Sequence, residues 1–68
     1  MARDSVARIE EHVHLRLTGR VRDLRLVVVD GSLVLRGRAQ TYYAKQLAQH
    51  AVMEMSDLPI RDNQIEVP

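Results

Sequence analysis

Within the stretch Leu24 to Ala39, LRLVVVDGSLVLRGRA, three arginines and three valines occupy positions that one side of a β-ribbon would share. Arg25, Arg36 and Arg38 carry planar guanidinium forks, which meet phosphate or carboxylate oxygens in bidentate geometry. Val27, Val29 and Val34 place apolar surface among them. A basic rim around an apolar patch suits an anionic lipid surface, an acidic partner protein or a neighbouring copy of the same domain. These six are the candidate ligand- and partner-binding residues.

Other chemistry finds less support. His12 and His14 are two apart, which on a helix sends them to nearly opposite sides, and His50 has no Asp or Glu at ligand spacing. A metal site needs at least three convergent ligands, so none is expected. Ser5, Ser32 and Ser56 fall at caps or turns with no histidine nearby in sequence, and a chain this short has little room for a substrate pocket. The expectation is a non-catalytic protein without a cofactor. Gly19, Gly31 and Gly37 form no phosphate-loop pattern and read as a helix end, a turn and a strand position of close backbone approach.

The element that must position the six residues is a hairpin. Asp30-Gly31 between two alternating apolar runs is a strong turn signal, since a type I′ turn requires positive φ at both central residues and these types tolerate it. A two-residue loop pairs Val29 with Ser32, Val28 with Leu33, Val27 with Val34, Leu26 with Leu35 and Arg25 with Arg36. One face then carries Leu24, Leu26, Val28, Leu33, Leu35 and Ala39, which must be covered. The other carries Arg25, Val27, Val29, Ser32, Val34, Arg36 and Arg38, which is left bare. Arg25 opposite Arg36 is a destabilising like-charge pair. Glu66, with Asp23 nearby, is the ordinary way to offset it through a surface charge network.

Around this hairpin, residues 5 to 17 read as a helix with Asp4 or Ser5 as its cap and Val6, Ile9, Val13 and Leu17 as its apolar stripe. Leu15 points outward, and Glu10 and Glu11 solvate the outer side. Residues 18 to 23 connect to the hairpin, with Val21 tucking back on the core. Thr41 caps a second helix running to about Met55, with Ala44, Leu47, Ala48, Ala51, Val52 and Met55 inward and Tyr42, Gln46, Gln49 and Met53 on the far side. Pro59 ends helical structure, Asp62-Asn63 reads as a turn, and residues 64 to 67 form a short final strand with Ile65 and Val67 inward. The fold class predicted is α+β, a two-layer α-β-β-α-β sandwich with two helices on one face of a three-stranded mixed sheet, in a single domain over residues 1–68.

Composition bounds the rest. Sixty-eight residues without cysteine, 46% of them hydrophobic, must rely on one small core with no disulfide to supplement it. Nine arginines against one lysine leave a net charge of only +1. No run approaches the roughly 20 apolar residues of a membrane span, and the first eleven residues lack the apolar centre of a secretory signal. A soluble chain is expected, either an intact cytoplasmic protein or a domain cut from a longer one, and the abrupt end at Val67-Pro68 fits the second slightly better.

The run Val27-x-Val29-Asp30-Gly31-x-Leu33-Val34-Leu35-x-Gly37 follows an amphipathic helix and precedes a second with Ala48 and Val52 four apart. The chain closes on Asn63-x-Ile65-x-Val67. Over roughly residues 5 to 67 this pattern resembles the BON domain (bacterial osmotically inducible and nodulation). It departs where that family usually has Gly-Val before the last strand, since Asp57-Leu58 and Pro59 stand there, and Arg61 replaces a valine two residues before the asparagine. The resemblance implies a non-catalytic module of the bacterial cell envelope or periplasm that binds phospholipid or partner proteins, often beside other domains. A self-association or inter-domain surface is the alternative. The element order also resembles RNA-binding KH folds, but there is no G-x-x-G loop, aromatics number only Tyr42 and Tyr43, and the net charge is near zero, so nucleic acid is the weaker expectation.

Overall fold

The computed structural model describes the backbone of residues 3–68 and the side chains of residues 5–68. Two strands, β1 (Val21–Val29) and β2 (Ser32–Ala39), form the expected hairpin, preceded by α1 (Arg3–Arg16) and followed by α2 (Tyr42–Met55) and β3 (Ile60–Glu66). The fold is α+β in the order α-β-β-α-β. Asp30 and Gly31 have φ of 49° and 77°, the positive pair that the turn requires. From Val29↔Ser32 to Arg25↔Arg36 the register is the one that a two-residue loop dictates.

Beyond Arg25 the ribbon changes step. Arg22 pairs with Arg38 and Val21 with Ala39, so Asp23 and Leu24 together oppose the single residue Gly37. This is a β-bulge, with Asp23 at φ 55°. Its cause is the core. An uninterrupted ribbon would turn Arg22 toward the helices and Val21 away from them, whereas the extra residue reverses the alternation and buries Val21 to 2% exposure. Gly37 makes room for it: a Cβ there would lie 2.9 Å from the Arg22 carbonyl oxygen. That is the close backbone approach its place in the strand predicted.

The sheet has the order β1-β2-β3, antiparallel between the first two and parallel between the last two. Ile9, Val13 and Leu17 from the first helix and its end, Ala44, Ala48, Ala51 and Val52 from α2, and Leu24, Leu26, Leu33, Leu35, Ala39 and Ile65 from the sheet form one cluster. Both helices therefore cover the same sheet face. Small alanines at three turns of α2 allow the close approach. The Thr41 hydroxyl caps α2 by accepting the Ala44 amide at 3.1 Å.

Several boundaries differ from expectation. Helix α1 already includes Arg3, so the backbone of Asp4 and Ser5 lies inside the helix and not at the position before it, where a cap stands. Met55, assigned to the inner stripe of α2, is exposed because it stands in the last turn. Val28 is 43% exposed although it faces the helices. It occupies an edge strand beside the turn, with a neighbouring strand on one side only, while its partner Leu33 on the central strand is fully buried.

Strand β3 is longer than predicted and contains no turn at Asp62-Asn63. A register slip between Leu33↔Ile60 and Val34↔Asp62 absorbs Arg61 instead. Asn63 is held as a strand residue by α2: its Nδ2 donates to the Lys45 carbonyl at 3.3 Å and to Gln49 Oε1 at 3.2 Å, and its Oδ1 accepts the Ile65 amide. Val67, expected inward, lies past the strand and is exposed.

Candidate functional site

The sheet face turned away from the helices carries all six predicted residues, but not on equal terms. Arg25, Arg36 and Arg38 are exposed, Val27 is 39% exposed and Val29 is half-buried. Val34, expected to stand bare, is 8% exposed and is a correction to that expectation. It sits on the central strand, level with Val27 on one side and Asp62 on the other, so a neighbouring strand lies along each of its flanks. It nevertheless stays outside the main core cluster, as its outward direction requires. The open apolar component of the face therefore centres on Val27.

The arginines divide into two groups. Arg25 and Arg36 line a groove along the edge of β1 together with Val27, Leu26 and Glu10. Arg38 lines a different cleft at the open end of the hairpin, with Arg20, Arg22 and Glu66. Arg20 and Arg22 were not singled out from the sequence, where residues 18 to 23 read as a connection. The signal that could have found them is the combination of Gly37 with an inward-reading Val21, since the two together require a bulge, and the bulge turns Arg22 to the outer face beside Arg38.

Glu10 also departs from expectation, since it does more than solvate the first helix. Its Oε2 accepts the Leu26 amide at 2.8 Å. In an antiparallel ribbon closed by a two-residue turn, Val29, Val27 and Arg25 direct their backbone groups to the partner strand. The amide of Leu26 then points out along the free edge. A carboxylate from α1 satisfies it and so blocks edge-to-edge pairing at that residue.

The expected charge network is absent from the described residues. Ion pairs there join Arg16 to Glu54 at 3.2 Å and Arg61 to Asp30 at 3.6 Å, both on the surface. Glu66 is level with Arg38, not with the Arg25–Arg36 pair, and Asp23 occupies the bulge, where it faces no regular cross-strand partner. Two like-charge pairs, Arg25 opposite Arg36 and Arg22 opposite Arg38, thus stand on one face with no carboxylate of the described residues within 4.0 Å of them.

His12, His14 and His50 are exposed, and among the described residues no three His, Cys, Asp or Glu side chains gather in a way that could hold a metal ion. No described helix is long and apolar enough to cross a membrane. Comparison with protein-family models, with curated proteins and with solved structures finds no match to this chain.

Proposed function

We propose that this domain is a non-catalytic module that binds an anionic phospholipid surface through the outer face of its sheet. The observation that carries this reading is the Arg25–Arg36 pair, exposed beside Val27 with no carboxylate of the described residues within 4.0 Å of it. Like charges set directly opposite each other are unfavourable in the free domain, and an anionic surface relieves that repulsion on contact. Val27 adds an apolar contact at the level of the headgroups. The resemblance of the Asp30-Gly31 hairpin and its flanking helices to the BON domain supports the same role and suggests the bacterial envelope as its setting.

Co-sedimentation with vesicles of phosphatidylglycerol against vesicles of phosphatidylcholine tests this. The domain is expected to bind the former and to release as salt rises. Each basic residue near an anionic surface contributes about 1 kcal/mol, so the double variant Arg25→Glu, Arg36→Glu should weaken binding more than about tenfold while keeping its circular dichroism spectrum. Unchanged co-sedimentation of the folded double variant refutes the proposal.

A further inference from the structure

We infer that Arg20, Arg22 and Arg38 form a discrete site for a single phosphate group at the open end of the hairpin. The bulge is what assembles it. Continued without the bulge, the turn-defined register would set Asp23 across from Arg38, a favourable opposite-charge pair, and would turn Arg22 toward the helices. The observed register removes Asp23 from that position and sets Arg22 there instead. Arg20 joins them because the Gln40 amide donates to its carbonyl at 3.0 Å, tying the two chain ends of the hairpin together.

The three side chains line one open cleft of about 410 Å³, bordered by Ala39, Gln40, Val67 and Pro68 and shared with Glu66. Among the side chains of the cleft, three guanidinium groups stand against the one carboxylate of Glu66, so the side-chain lining is cationic. Among the described residues none of the three has a carboxylate within 4.0 Å, so their donor forks are free to meet an incoming anion. Phosphate fits this set better than chloride or a single carboxylate, since its several oxygens accept paired bonds from more than one guanidinium at once. The Glu66 carboxylate disfavours a loosely held anion, so the bound group must engage the forks directly.

The inference goes beyond the surface reading, because it requires a phosphate group and no membrane. The test is an amide chemical-shift titration of the domain with inorganic phosphate, with glycerol phosphate and with a short-chain phosphatidylglycerol kept below its micelle concentration, each against sodium chloride at matched ionic strength. Saturable one-to-one shifts are expected at residues 20–22 and 38–40. Arg22→Gln should weaken them at least tenfold, and Arg8→Gln, which removes the same charge from an exposed position on α1, should leave them unchanged. Tighter binding of the short-chain lipid assigns the site to a headgroup, and equal or tighter binding of the small phosphates assigns it to a free phosphate; either upholds the site. Shifts that chloride reproduces, or equal weakening by Arg22→Gln and Arg8→Gln, overturn it. Vesicle co-sedimentation fails independently: a domain that binds phosphate but no vesicles refutes only the surface reading, and the converse refutes only this site.

Discussion

The two ends of the β1–β2 ribbon obey different rules. At the closed end, from Arg25–Arg36 to the Asp30-Gly31 turn, pairing follows from the local chemistry of two residues with positive φ. At the open end the same ribbon abandons that register, and Asp23 and Leu24 crowd against Gly37. Each end presents an arginine pair across the strands, yet the first pair is a direct product of the turn and the second exists only because of the bulge. A turn governs register for as long as the side chains it aims inward are ones the core accepts. Where it would aim Arg22 inward and Val21 outward, the core prevails.

Substitution at the two glycines separates these rules. Gly37→Ala should have the larger effect, because its Cβ would meet the Arg22 carbonyl oxygen at 2.9 Å and the Asp23 carbonyl oxygen at 3.2 Å, and its φ of 152° strains any other residue. A loss of about 3 kcal/mol in urea unfolding is expected, from the sum of overpacking and backbone strain. Gly31→Ala has φ 77° but open space around the added methyl, so only the left-handed penalty of about 1–2 kcal/mol applies. Equal losses at the two sites would show that the bulge is no tighter than the turn and would break the contrast.

The smallest effect sharpens it. Arg36→Gln relieves the like-charge pair at the closed end and should raise stability by a few tenths of a kcal/mol at low ionic strength, with the gain fading as salt screens the pair. A loss in the same urea titration would mean that Arg36 has a stabilising partner, and the exposed pair would then no longer indicate an external anion.

Much of this architecture could be read in the chain. Thr41 caps α2, and Val6, Ile9, Val13 and Leu17 gather on the inner side of the first helix and its end. These depend on interactions within a few residues, or on a periodicity that the folded state only has to honour. The errors share a different origin. Val34 was expected bare because alternation specifies the face of a residue but not how many strands flank it, and the central position of β2 closes it off. Glu10 was assigned to solvent because nothing near it in sequence needs an acceptor, whereas the Leu26 amide sixteen residues away does. Asp62-Asn63 looked like a turn from its residue types, but the acceptors on α2 hold Asn63 in a continuous strand.

By itself the sequence determined the hairpin turn, the two helices, the order of elements and the arginine-rich character of one sheet face, since each follows from backbone preference or side-chain period along a short span. Only the tertiary structure decided which arginines join Arg38 at the open end. The choice depended on whether Val21 or Arg22 would enter the core, and that is settled by burial against residues brought in from α1, α2 and β3.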